Sequence, residues 1–222
     1  MGKSVVIPDD ACGGTRQPAP GFAPRAAALG ALLLVSGPAA LVAMTVWLIL
    51  GPPVIFRQRR SGLNGRAFTI LKFRTLSEER DGSGRLLPDD LRQTMITRWI
   101  RRFRLDEIPQ LGAVMTGDMS FVGPRPLKLE TVAGFGRLGA VRGQVRPGLT
   151  GWAQVNGNVQ LNDAEKLALD IWYVDHRSVA LDTRILLKTV VTLLRGERVG
   201  DRALAEAKEH LIRRIEQGER VP

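Results

Sequence analysis

The sequence predicts an α+β protein: a small, mostly helical domain carrying one β-hairpin, with an apolar, membrane-seeking segment ahead of it. Three observations predict this. Two short β-prone stretches, 54–58 and 67–73, flank Ser61-Gly62-Leu63-Asn64-Gly65, the pattern of a hairpin. Helical composition recurs over 91–103, 163–174 and 182–195. And 26–56 is a run of 31 residues without a charge, in a chain of 222 that holds 32 Lys and Arg against 22 Asp and Glu, net +10.

Residues 1–25, rich in Pro, Gly and Ala, read as a leader. The segment 26–53 follows. Its core, Ala26 to Leu50, is 25 residues, about 37 Å of helix against a hydrocarbon core of about 30 Å. A cleaved signal peptide would have a shorter apolar region and a small-residue cleavage site; here Gly51-Pro52-Pro53 leads straight into basic sequence. A buried core helix is a poor fit, because so long an uncharged segment is rare in a domain of this size. Pro38 removes a backbone donor halfway along, so a break is expected at Ser36-Gly37-Pro38, where Ser36 can satisfy a freed backbone group. Two geometries follow: a kinked span, or a hairpin that enters and leaves on one side. Residues 57–75 carry six cations and no acid, which makes that side cytoplasmic. Residues 1–25 carry a net of only +1, so charge leaves span and hairpin both open.

The body runs over 54–196. After the hairpin, polar 77–90 is a loop. The helix at 91–103 bears Arg98, Arg101 and Arg102, with Arg104 just beyond. Pro109 fits the first turn of the next helix, which Gly117 ends. Residues 121–126 form a turn with two prolines, and 142–157, punctuated by Gly and Pro, cannot be one long helix. The 182–195 helix is amphipathic: it either lies at a lipid interface with cations at the headgroups or presents one face to the core. The tail, 197–222, is Ala- and charge-rich and reads as a solvated helix.

Composition narrows function. One cysteine, Cys12, excludes a disulfide framework and a Cys-based zinc site, and His176 and His210 are too far apart in sequence for a short metal motif. Aromatics are 5%, too few for a ring-paved binding surface. A pI near 10.9 is a usual mark of nucleic-acid binders, but no helix-turn-helix, zinc, RRM or OB pattern is present and the uncharged run fits poorly, so no nucleic-acid partner is expected.

The chemistry centres on Asp106-Glu107. Two adjacent carboxylates before Pro109 sit at a helix start, which by itself is an ordinary cap. The surroundings point further. Arg101, Arg102 and Arg104 lie just upstream, and Arg125 is held between Pro124 and Pro126, a stiff mount for a guanidinium that grips phosphate. Carboxylates among arginines suit a Mg²⁺–pyrophosphate site, with one Asp able to attack phosphorus while metal and arginines stabilise the transferring group.

Five segments in order, GPPVIFRQRRSGLNGRAFTILKFRTL (51–76), RRFRLDEIPQL (101–111), GDMSFVGPRPL (117–127), RPGLTGWAQVNG (146–157) and LDIWYVDHRSVALD (169–182), resemble the bacterial sugar transferases, monotopic enzymes that load a sugar phosphate onto polyprenyl phosphate. The chain resembles their short, minimal class. The resemblance implies that Asp106 is the nucleophile attacking the β-phosphate of a UDP-sugar. UMP leaves, and polyprenyl (undecaprenyl) phosphate then takes the phosphosugar from the aspartyl intermediate, as a first membrane step toward a surface glycan. It implies that Glu107 joins Asp106 in holding Mg²⁺, and that Arg101, Arg125 and Arg146 lie near the bound phosphates. Ser36 and Pro38 match a helix-breaking Ser-Pro pair, here with Gly37 inserted, which favours a re-entrant helix anchored alongside interfacial amphipathic helices. It also implies the bacterial inner membrane, with the catalytic domain on the cytoplasmic face and membrane lipids as contacts, and it leaves room for downstream glycosyltransferases and a homodimer as partners.

The chain departs from relatives at Gly112-Ala113, Thr116, Leu76 and Asn158, the last where Arg is common. Two rivals remain distinct. A non-catalytic adaptor predicts a disrupted Asp-Glu pair or Pro-Arg-Pro turn, and both are intact. A nucleotide-sugar hydrolase needs no membrane element.

Overall fold

In the computed structural model, which describes residues 21–217, the uncharged run becomes two helices, α1 (Phe22–Leu34) and α2 (Ser36–Leu50), bent by 58° where they meet. The leader expected over 1–25 lies outside the described residues up to 20, and its last residues are already helical. No single described helix is long and apolar enough to cross a membrane; α1 and α2 reach that mark only as a bent pair. The break has the expected chemistry: Pro38 has no N–H to give, and Ser36 Oγ donates to the Leu33 carbonyl at 2.8 Å. Both arms return to the same domain. Ala28 of α1 is buried against Ile70, Val114 and Met119, while Val42 and Val46 of α2 pack on Phe73 and Ile100. Leu33, Leu34 and Leu41, around the break, stay exposed.

The hairpin pairs β1 (Ile55–Ser61) with β2 (Ala67–Phe73), Ile55 opposite Phe73 and Ser61 opposite Ala67. The first strand runs three residues beyond the expected Gln58. Its alternation continues through Arg59 and Arg60, and the turn is tightened only at Asn64 and Gly65, φ 53° and 75°. A loop leads to α3 (Met95–Arg102), which starts later than composition implied because Thr94 and Thr97 form a reciprocal capping box. A 3₁₀ turn, Leu105–Gln110, runs into α4 (Leu111–Thr116), which Gly117 ends at φ 86°.

Next comes a feature that local pattern does not announce. β3 (Ser120–Val122) pairs in parallel with β4 (Gly148–Thr150), across α5 (Leu129–Gly134) and α6 (Arg137–Arg142). Glycine is required here by contact. A Cβ on Gly123 would meet the Arg146 carbonyl at 2.3 Å, and one on Gly148 would meet the Gly123 nitrogen at 2.1 Å.

Helices α7 (Trp152–Val155), α8 (Asp163–His176), α9 (Val179–Arg195) and α10 (Asp201–Glu216) complete the domain. The main core gathers Trp152, Val155, Leu169, Tyr173, Ile185 and Leu204. The tail helix is therefore not a solvated one: α10 buries Leu204 and Ala207 in that core. Its apolar residues are few, but their spacing puts them on one face. α9 presents one face to the core, burying Leu181 and Ile185, and leaves Leu187, Val190 and Leu194 exposed on the other. α3 likewise leaves Met95, Ile96 and Trp99 in the open.

Candidate active site

The 3₁₀ turn presents Asp106 and Glu107 side by side to the end of β2 and to the Pro124-Arg125-Pro126 turn. Glu107 is the locked member. Its Oε1 accepts from Lys72 Nζ at 2.7 Å and from Arg125 Nη2 at 2.6 Å, and its Oε2 faces Arg104 Nη1 at 3.8 Å. Burial alone would raise the Glu107 carboxyl, but Arg125, Lys72 and Arg104 outweigh it and hold it at about 2. Asp106 is the opposite case. The hydrogen bond at its carboxylate comes from its own backbone N–H; burial first, then repulsion from Glu107, push it up to about 6 against the pull of Lys72, Arg101 and that bond. Two adjacent carboxylates driven apart in this way are a recurrent sign of divided chemical roles.

The support behind Arg125 is rigid. Gly123 N–H donates to the Thr150 carbonyl at 2.9 Å, and Gly148 N–H to the Pro124 carbonyl at 3.0 Å. Arg142 Nη2 donates to the Arg125 carbonyl, and Arg142 Nε is paired with Asp170 Oδ2 at 2.8 Å inside the core. The turn is thus fixed from two sides before any ligand arrives.

Of the residues expected from sequence, the structure brings Asp106, Glu107 and Arg125 together. Arg101 is exposed on α3 and acts on Asp106 through its charge. Arg146 lies further along, its Nε donating to the Gly117 carbonyl at 2.9 Å, so it ties the end of α4 to the segment that leads into β4. Lys72 is the residue that sequence reasoning missed as a site member. Its signal was there: a lone cation inside the apolar strand Ile70-Leu71-Lys72-Phe73.

Mg²⁺ is the group the resemblance implies. Among the described residues no three His, Cys, Asp or Glu side chains converge as ligands. Mg²⁺ does not need three, because it takes one or two carboxylates and completes its shell with phosphate oxygens and water. The half-buried Asp106, next to Glu107 in the turn and close enough to be repelled by it, fits that demand.

The model of a family described as "Bacterial sugar transferase" matches residues 22–196. The chain is 47% identical over 154 residues to the sugar transferase EpsL of Bacillus subtilis, covering 69% of this chain and 76% of that one. It is 34% identical over 213 residues to the exopolysaccharide production protein ExoY of Rhizobium meliloti, covering 86% and 93%. It is 40% identical over 174 residues to an undecaprenyl-phosphate glucose phosphotransferase of Komagataeibacter xylinus, covering 72% of this chain and 33% of that protein. The chain thus spans a third of the length of that last relative.

Proposed function

The chain belongs to the bacterial sugar transferase family, and on that footing we propose that it moves a sugar 1-phosphate from a UDP-sugar to undecaprenyl phosphate in two displacements. Asp106 carboxylate attacks the β-phosphorus. The bond from that phosphorus to the bridging oxygen breaks, and UMP leaves with the electron pair. The phosphate of the polyprenyl acceptor then attacks the same phosphorus, the aspartyl–phosphorus bond breaks, and polyprenyl diphosphate-sugar leaves with Asp106 restored. The observation that carries this reading is the divided pair: Asp106 outside the described ion pairs and raised to about 6, Glu107 clamped by Lys72 and Arg125 at about 2. A nucleophile must not be tied up in an ion pair, and Asp106 belongs to none of the ion pairs formed by the described residues, its hydrogen bond coming from its own backbone N–H.

Arg125, mounted on its fixed turn, and Lys72 then orient the phosphates and offset their charge. Asp106 and Glu107 are the residues that would hold Mg²⁺, which when bound neutralises charge on the diphosphate. The test is UMP release by detergent-purified protein with Mg²⁺, undecaprenyl phosphate and a panel of UDP-sugars. Asp106→Asn is expected to lower the rate by at least about 10³-fold; release at the wild-type rate would sink the nucleophile assignment.

The apolar arms supply the acceptor's address. We read α1–α2 as a re-entrant element on the cytoplasmic side of a bacterial inner membrane. The support is that both arms pack on one domain while the break around Ser36 points its leucines outward; a span would carry α1 to the far side. The exposed apolar faces of α3 and α9 then lie at the lipid surface. In a Cys12→Ser background, cysteines placed within 5–20 should be labelled only from the cytoplasmic side, and labelling from the periplasm would show a true span.

A further inference from the structure

Arg104, two residues before Asp106, combines two unusual features. Its backbone is left-handed, φ 54° and ψ 24°, a conformation that favours glycine and strains a residue bearing a side chain. Its guanidinium is shared between two carboxylates and closes on neither. Nη2 lies 3.5 Å from Glu197 Oε1 and Nη1 lies 3.8 Å from Glu107 Oε2, whereas Lys72 and Arg125 reach the other oxygen of Glu107 at 2.7 and 2.6 Å.

Glu197 is anchored more firmly than it holds Arg104. Asn158 Nδ2 donates to its Oε1 at 2.5 Å, Val159 N–H to its Oε2 at 3.4 Å, and Gln160 Nε2 to its main-chain carbonyl at 2.9 Å. It stands one residue beyond the stretch matched by the family model, 22–196. A carboxylate at such a distance orients a guanidinium without saturating its five donors. Phosphate, which takes the planar fork in two parallel bonds, outcompetes it.

We propose that Arg104 is a substrate-binding arginine for the diphosphate of the nucleotide donor, and that Glu197, fixed by Asn158, is the positioning residue that aims it. This rests on the UDP-sugar reading above. It gives Asn158 a role: with no charge of its own, it holds a carboxylate that steers a cation.

Full-length protein in detergent, titrated with UDP by calorimetry and assayed for UMP release, tests the proposal. Arg104→Gly relieves the left-handed strain, so the fold should persist. It should weaken UDP binding about tenfold or more and raise KM for the UDP-sugar by more than it lowers kcat. Arg104→Lys, which keeps the charge and loses the fork, should recover part of the loss. Glu197→Gln keeps one acceptor oxygen, enough for Asn158, but loses the charge and the second acceptor that faces Val159; it should weaken UDP binding less, and not at all in the Arg104→Gly background. Unchanged UDP affinity in Arg104→Gly overturns the proposal, as does a Glu197→Gln loss that adds in full. A wild type that binds UDP but releases no UMP from any UDP-sugar sinks the transfer reading, while the binding arm still decides on Arg104.

Discussion

The charges around Glu107 and the pair Arg142–Asp170 are two ways of placing ions inside one small domain. Arg142 and Asp170 meet one to one at 2.8 Å, with side chains 5% and 4% exposed. The cluster at Glu107 gathers Lys72, Arg104 and Arg125 around one carboxylate and leaves Asp106 beside it with none. The core pair is balanced and dry, so its favourable arrangement is the one it has. The site cluster is unbalanced and half open, so its best arrangement includes an anion from outside. The two are joined by one bond, from Arg142 Nη2 to the Arg125 carbonyl. The balanced pair thereby holds the turn on which the unbalanced one depends.

That contrast should break most visibly in the core. Arg142→Ala leaves Asp170 buried and alone, and should cost about 3–5 kcal/mol of stability. Replacing both, Arg142→Met with Asp170→Leu, should cost much less, because no buried charge is orphaned. Thermal unfolding in detergent compares them. If the double variant is as unstable as the single one, an orphaned Asp170 charge is not what the loss of Arg142 costs. The double variant should still lose transfer activity, since the Arg125 carbonyl has lost its donor.

At the site the sign should reverse. The folded state raises the Asp106 carboxyl from 3.8 to about 6. The folded protein therefore holds that proton more tightly than the unfolded chain. The resulting stability is complete below about 4 and is lost as pH rises through about 6. At neutral pH the ionised Asp106 is a burden on the fold, and Asp106→Asn should be more stable than wild type by on the order of 1–2 kcal/mol when divalent cations are absent. The gain should vanish near pH 4. A variant less stable than wild type at pH 7.5 would mean that Asp106 serves the fold.

Legibility in the sequence followed distance along the chain. Asp106-Glu107, the Pro124-Arg125-Pro126 turn, the hairpin and the break at Ser36–Pro38 are local signals, and the structure has each element where its residues say. Lys72 stands out in sequence as a lone cation in an apolar strand, but its role does not, because its partner Glu107 is 35 positions away. The pairing of β3 with β4 involves three residues on each strand, too few for any periodicity. Glu197 reads as an ordinary surface acid until the fold brings it to Arg104 and Asn158. α10 looked solvated because Leu204 and Ala207 are outnumbered by charges around them; what buries them is α8, which no local pattern names.

The docking of α10 supplies the mildest case of the same contrast. Asp175 Oδ2 on α8 accepts from His210 Nε2 at 2.7 Å and from Arg214 Nη1. Burial alone would raise the Asp175 carboxyl, but the hydrogen bonds from Arg214 and His210 outweigh it and hold it below its ordinary value. Its contribution to stability is therefore present above about pH 4 and is lost as pH falls below that. With side chains 22%, 27% and 13% exposed for Asp175, His210 and Arg214, solvent screens the group far more than it screens Arg142–Asp170. Asp175→Asn should accordingly cost no more than about 1 kcal/mol. The loss should be local, because Leu204 and Ala207 still hold the first half of the helix. Hydrogen exchange should quicken over 208–216 and not over 201–207, with UMP release within about twofold of wild type. Faster exchange reaching the 3₁₀ turn at 105–110 would mean that the tail carries load for the site beyond Glu197.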